Sequence, residues 1–465
     1  MTLRKHYMLS NLTSGVVVVK KKIGMSMLAL MALSPSAAFA ASEGAELSAF
    51  GLNSLWVMVA AILVLLMQGG FILLEAGSTR MKNAGHVAGK TIFTVGLCTL
   101  VYWAIGYGFA FGGGGNPLVG LDSFFYSPGT DADLAPSVFF VFQLAFAAIS
   151  LTIAWGGFAE RAKLGSYLVF TLLFSTLVYP VIAHWIWNAD GWLAKDGAQD
   201  FAGSTVVHLT GACAAFAATV LLKPRIGKFN KDGTANEIHG HSQVFTSLGV
   251  LILWVGWFGF NAGSTVAIGD GFFGYVAFNT QLAAGAGAVA ALIISWIIMG
   301  KADISTMLNG ALAGLVAITA SCAFVEPWAA VVIGLLAGMI VFGSQKMFEK
   351  LGIDDPIYAL SVHGVVGIWG TLANGFFATE ELAASVGVGQ AGLFYGGGFH
   401  QLGVQFLSVV TAGGYALAAS FILLLITKSL VGLRVTEEEE IIGLDLSEHG
   451  VYGYPEQLKN TQHTV

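Results

Sequence analysis

Asp200-Phe-Ala-Gly-Ser-Thr-Val-Val-His208 opens an apolar helix that runs to about Leu222. A carboxylate stands at its mouth and an imidazole lies eight residues inside. At ~1.5 Å rise per residue, His208 sits roughly 12 Å into a hydrocarbon layer about 30 Å thick. Asp355-Pro356 opens a second apolar helix, with His363 again eight residues in. If the two helices enter from opposite faces, both imidazoles reach the midplane, roughly 6 Å apart in depth. A lone histidine there reads as bundle packing. Two at matching depth point to a route for something that hydrogen-bonds or carries protons.

Composition fits that setting. The 465 residues are 56% apolar and 10% charged, with a mean hydropathy of +0.76, whereas soluble domains carry ~25% charged residues. The fold class is all-α polytopic membrane protein. Eleven transmembrane spans are expected, at about 54–76, 88–112, 137–157, 163–183, 203–223, 243–261, 272–300, 304–322, 326–346, 358–378 and 401–431. Of the 21 Lys and Arg, five (Arg4, Lys5 and Lys20 to Lys22) precede these spans, and all the rest but Lys195 flank or follow the exits of odd-numbered ones. The positive-inside rule then sets the mature N-terminus outside and the C-terminus in the cytoplasm. Asp200 faces the exterior and Asp355 the cytoplasm, so spans 1–5 and 6–10 read as an inverted repeat. Ala76-Gly-Ser-Thr79 and Ala262-Gly-Ser-Thr265, ending spans 1 and 6, are a second trace of it.

Residues 1–40 read as a secretory signal peptide: Lys20-Lys21-Lys22, an apolar run from Ile23 to Leu33, then Ala38-Phe39-Ala40. The run is too short for a twelfth span. Residues 41–431 form the transmembrane domain and 432–465 a cytoplasmic tail. Cys98, Cys213 and Cys322 lie in apolar segments without metal-type spacing, as inert thiols.

Asp200 and Asp355 are good helix N-caps, and a capping carboxylate can also draw a cation to a mouth. Phe142 and Phe146 lie four apart on span 3; Trp257 and Phe260 lie three apart on span 6, with Ser264 four beyond. Such pairs pack by default, yet near an anionic mouth their faces would hold a small cation, worth up to ~2 kcal/mol. Glu160-Arg161 reads as a structural ion pair. No nucleophile–base pair, metal cluster or nucleotide motif points to an enzyme, a metal, a cofactor or a nucleic-acid partner.

These stretches, with Gly256-Trp-Phe-Gly-Phe-Asn-Ala-Gly-Ser264, Asp354-Asp355-Pro356, Val362-His363-Gly364 and the tail from Gly432-Leu-Arg to His449-Gly450, resemble the Amt/Rh ammonium transporter family, bacterial Amt branch. The resemblance covers about residues 50–453. It implies an external ammonium site supported by Asp200 and lined by Trp187 and Ser264. It further implies a stacked gate of Phe146 and Phe260 with Phe142 and Trp257 nearby, and a pore with twin histidines His208 and His363. The implied substrate is ammonium or ammonia, with methylammonium as analogue. The implied setting is a homotrimer in the bacterial inner membrane, controlled by a PII-type protein on the cytoplasmic face. An ammonium sensor acting through the tail and an Rh-like neutral gas channel are the alternatives. Glu75 and Tyr358 depart from the pattern, standing where some members carry Tyr and Asp, and an extra residue between Trp187 and Asp200 loosens the Trp187 assignment.

Overall fold

The computed structural model describes residues 48–130 and 133–455; the expected signal segment and the last ten residues lie outside them. In order the main helices are α1 (Ala49–Ser78), α2 (Met81–Phe111), α3 (Pro136–Gly157), α4 (Leu164–Lys195), α5 (Ser204–Leu222), α6 (Gln243–Thr265) and α7 (Phe272–Met299). There follow α8 (Ile304–Thr319), α9 (Pro327–Lys350), α10 (360–377), α11 (Glu380–Val386), α12 (His400–Val431), α13 (Glu437–Ile442) and α14 (Leu444–His449). Among the described residues the only β-pairings are isolated bridges, Ala162 with Arg434 and Phe229 with Ala235.

Nine of these helices, α1–α7, α9 and α12, are long and apolar enough to cross a membrane. That is two fewer than the eleven expected. Helix α8 is apolar but has 16 residues, and α10 carries His363, Thr371 and Asn374 among its apolar residues. Large apolar side chains such as Leu100 and Ile297 remain exposed on the outer helices, a surface suited to lipid.

Small residues bring the helices close. A side chain at Gly249 of α6 would begin 2.6 Å from the Gly70 carbonyl oxygen of α1, and one at Gly314 of α8 would begin 2.2 Å from the Ala283 carbonyl oxygen of α7. Lipid offers no hydrophobic drive between helices, so association rests on such backbone approach.

The two Asp-x7-His stretches share a local geometry. Helices α5 and α10 each begin with a π-helical turn, Ser204–Leu209 and Leu360–Val365, and each turn carries the histidine. π-Turns widen the helix locally and recur at functional positions.

Glu160 and Arg161 do not pair with each other. Glu160 accepts from Arg80 Nε at 3.0 Å, Asn83 Nδ2 at 2.9 Å and Arg225 Nη1 at 2.5 Å. Arg161 instead donates to the carbonyl oxygens of Lys223, Ala159 and Asp354. Adjacent residues here point apart because Glu160 has a left-handed backbone, φ 67°.

After α12 the chain folds back along residues 161–163, with Lys163 N–H donating to Leu433 O at 2.9 Å and Val435 N–H to Arg161 O at 3.1 Å. Thr436 and Glu439 form a capping box that starts α13. Asp445 of α14 then accepts the backbone N–H groups of Gly85, His86 and Gly453. Of the tail carboxylates, Asp445 is thus seated on the start of α2 and Glu440 on Ile226 N–H and Arg434, whereas Glu437 and Glu438 stay exposed.

Candidate functional site

Asp200 is buried, and its carboxylate is used by its own helix. It accepts the backbone N–H of Gly203 at 3.1 Å and of Thr205 and Val206 at 2.9 Å each. Burial pushes its carboxyl up to about 6, against the pull of these donors. Its own carbonyl oxygen receives the Trp187 indole N–H at 2.7 Å. Gly203, not Asp200, stands at the N-cap position of α5, so the Asp200 carboxylate serves the first N–H groups from three residues upstream, and the residue also fixes Trp187.

Trp187 lines a cavity of about 170 Å³ together with Phe142, Gln143, Phe146, Phe201 and Ser264. Four of the seven expected mouth residues meet there; the Asp200 carboxylate does not line it. The Ser264 hydroxyl donates to Phe260 O at 2.8 Å, so its lone pairs remain available as acceptors.

Next to the cavity the aromatic rings pack on one another. Phe146 and Phe260 have centroids 4.3 Å apart, and Phe142 packs on Phe146 at 4.7 Å. Phe260 stacks on His208 at 5.4 Å and Trp257 does so at 5.3 Å, the latter anchored by its indole N–H on Thr319 Oγ1 at 2.9 Å. His208 and His363 face each other with Nδ1 atoms 3.2 Å apart. His208 Nε2 is buried without a partner. The Phe71 ring lies 6.3 Å from His363.

Two residues before His363, Ser361 enters the wall of a second cavity of about 220 Å³, which also holds Asp355, Tyr358 and Arg225. Asp355 accepts the N–H of Ala359 and Leu360, serving the start of α10 as Asp200 serves that of α5. The order is cavity, phenylalanine pair, two imidazoles, second cavity.

Comparison with known proteins decides the family. A family model described as Ammonium Transporter Family matches residues 55–454. The chain belongs to the ammonium transporter family. It is 40% identical over 454 residues to ammonium transporter Amt2 of Archaeoglobus fulgidus, covering 95% of this chain and 96% of that one. It is 36% identical to an ammonium transporter of Bacillus subtilis, covering 87% of this chain and 99% of the relative. Among solved structures it is similar to one titled Sensor Amt Protein, at 38% identity and a TM-score of 0.80 over 86% of this chain and 99% of that one. Candida albicans Mep2 gives a TM-score of 0.78 at 29% identity, over 87% of this chain and 90% of that one. The Archaeoglobus and Bacillus relatives are named as ammonium transporters, and the family is not one of enzymes.

In this ammonium transporter family member two further groups come into view. Gln143 lines the first cavity and its Oε1 is buried without a donor. Its position next to Phe142 was the available signal, but an amide on an apolar helix gives no period of its own. Glu75, the departure at the end of α1, binds Lys90 at 2.6 Å, and the Lys90 ammonium lies over the Trp155 and Tyr167 rings at 5.9 and 5.5 Å. Both charges are buried and each sits alone in an apolar run, so spacing could not pair them. Tyr358, the other departure, has a left-handed backbone (φ 60°) in the wall of the second cavity.

Proposed function

We propose that this chain moves ammonium across a bacterial inner membrane, recruiting the ion at the Asp200 end and releasing ammonia at the Asp355 end. The succession of contacts from cavity to Phe146/Phe260 pair to His208/His363 pair carries this reading. In it, α8 and α10 complete eleven spans related as an inverted repeat, with α8 finishing its crossing through the turn at 320–325. Residues 1–40 are a cleaved signal peptide, the Asp200 end faces outside and the tail faces the cytoplasm. The protein works as a homotrimer, one pore per chain, open to a PII-type partner on the tail face.

At the outer cavity the faces of Trp187, Phe142 and Phe146 attract the cation, and Ser264 Oγ and Gln143 Oε1 accept its N–H groups. Asp200 acts through Trp187 and the first turn of α5, as a positioning residue. Past the phenylalanine pair a bare ion would lose its hydration at a cost of many kcal/mol, so ammonia enters and the proton is shed. His208 Nε2, without a protein partner, offers the first hydrogen bond inside. The bonded Nδ1 atoms make one ring donor and the other acceptor, a line along which a proton can also pass. Potassium has no proton to shed and is excluded.

Solid-supported-membrane recording on proteoliposomes tests this. Ammonium should evoke a transient current, methylammonium a smaller one and potassium none; a potassium current of equal size would overturn the scheme. Labelled methylammonium uptake without current would favour the neutral, Rh-like channel. Likeness to a structure titled Sensor Amt Protein, together with the seated tail, favours a second reading, an ammonium sensor. Saturable binding with neither current nor uptake would select it.

Gln143→Leu should weaken apparent ammonium affinity about tenfold with the maximal rate little changed, since a hydrogen bond to a charged group is worth ~1.5–3 kcal/mol. Concentration series of the current measure both quantities, and an unaltered affinity removes Gln143 from the site.

A further inference from the structure

His86 of α2 meets His449 of the tail helix α14, with Nδ1 and Nε2 3.0 Å apart and ring centroids 5.2 Å apart. His86 is buried, whereas His449 is exposed. The other nitrogen of His86, Nε2, is buried without any hydrogen-bond partner. That orphan decides the tautomer. With the proton on Nε2 a donor would be buried unpaired, whereas with the proton on Nδ1 only a lone pair goes unused, the more tolerable of the two. His86 therefore donates through Nδ1, and His449 Nε2 must accept.

An imidazole that accepts through Nε2 cannot do so once that nitrogen is protonated. Were that nitrogen to carry a proton, two N–H groups would face each other across 3.0 Å. Relief requires His86 to bury an unpaired donor or the tail to lift. We propose that the His86–His449 contact is an acid-released latch: it holds the tail helix on the start of α2 at neutral pH and lets go as pH falls.

The other groups facing this contact are Lys90, one turn along α2 and bound to Glu75; Tyr167 of α4, edge-on to His86 at 5.5 Å; and Asp445 and Glu448 of the tail. Of these residue types only an imidazole ordinarily changes charge between pH 5 and 8. The second histidine contact of the tail differs. His241 Nδ1 lies 3.2 Å from the Thr79 carbonyl oxygen and its Nε2 3.3 Å from the Tyr454 hydroxyl. A hydroxyl can turn from donor to acceptor when the ring is protonated, so that contact survives acid.

The latch lies on a line of contacts toward the paired histidines. Lys90, four residues beyond His86, binds Glu75, and Phe71, four residues before Glu75, packs against His363. Tail docking and the Phe71 ring are thus joined through α1 and α2.

Hydrogen exchange of the full-length protein in nanodiscs tests the latch. After correction for intrinsic rates, the peptide carrying Leu444–His449 should exchange at least fivefold faster at pH 5.5 than at pH 7.5. His449→Gln keeps an acceptor that never protonates, so its tail should stay protected with less than a twofold change. His241→Gln should retain the wild-type response. A wild-type tail whose protection is the same at both pH values overturns the latch, as does a His449→Gln tail that still loosens in acid or a His241→Gln tail that no longer does. None of these readings depends on transport, so the latch can fail or stand apart from the proposed function.

Discussion

Leucine at both His208 and His363 is expected to cut the ammonium-evoked current at least tenfold while leaving a folded, extractable protein. The imidazoles bond chiefly to each other, Nδ1 to Nδ1 at 3.2 Å. Removing both partners of a hydrogen bond for apolar groups of similar size is close to neutral for stability, whereas removing one strands the other. His208→Leu alone should therefore be the less stable variant, because His363 Nδ1 loses its partner within the bundle. The functional loss has a different origin. On the proposed reading, without the rings ammonia leaving the Phe146/Phe260 pair would have neither imidazole to bond before Ser361 and the second cavity. Tenfold corresponds to about 1.4 kcal/mol of barrier, the lower end of what one unmade hydrogen bond costs in a dry site. Paired measurements of current and thermal stability in the single and double variants check both halves. A double variant with wild-type current would reject the role of the pair.

The helical class and the paired histidines were legible because each rests on a local rule: apolar run length, and the eight-residue step from a capping carboxylate. The meeting of Phe142, Phe146, Trp187 and Ser264 at one cavity followed from the family likeness, since no period links three separate helices. The span count was less legible. Helix α8 is short at 16 residues, and α10 carries the polar groups that make it interesting, so the features that mark a site also weaken the hydropathy signal. The π-turns at Ser204–Leu209 and Leu360–Val365 had no signal at all, because composition does not distinguish an i→i+5 turn from an i→i+4 one. The Glu160–Arg161 expectation failed for a definable reason. Adjacency suggested a pair, but a positive φ at a non-glycine residue turned the carboxylate toward Arg80 and Arg225, whose positions depend on chain returns of 80 and 65 residues. Glu75–Lys90 and His86–His449 were hidden likewise, since partner choice among buried charges is tertiary.

Glu160→Ala is expected to be the most destabilising single change in the ion network at the tail end. The carboxylate is buried and takes the Arg80 backbone N–H at 2.8 Å in addition to its three side-chain donors. The guanidinium groups of Arg225 and Arg80 hold its carboxyl down to about 2, outweighing burial, which pushes the other way. A folded value lowered from 4.5 gives stability that is full above pH 4.5 and is lost as pH falls through about 2. At neutral pH that is roughly 3 kcal/mol, in line with the ~3–5 kcal/mol for stranding the partner of a buried charge. The Arg225 guanidinium keeps its two bonds to Asp354, at 2.9 and 2.8 Å, but loses its second anion. Melting in detergent, followed by fluorescence-detected chromatography, should fall by about 3 °C. Glu160→Gln should fall less, because its carbonyl still serves Arg80 or Asn83 while its amide N–H groups oppose Arg225. Asp354 precedes Asp355, which serves the start of α10 and so the turn that carries His363. Glu160→Ala that folds at low temperature should then also lose current more than its folded fraction explains. If it melts like the wild type, the network contributes nothing to holding the α10 entrance, and the link from Glu160 through Arg225 and Asp354 to His363 is broken.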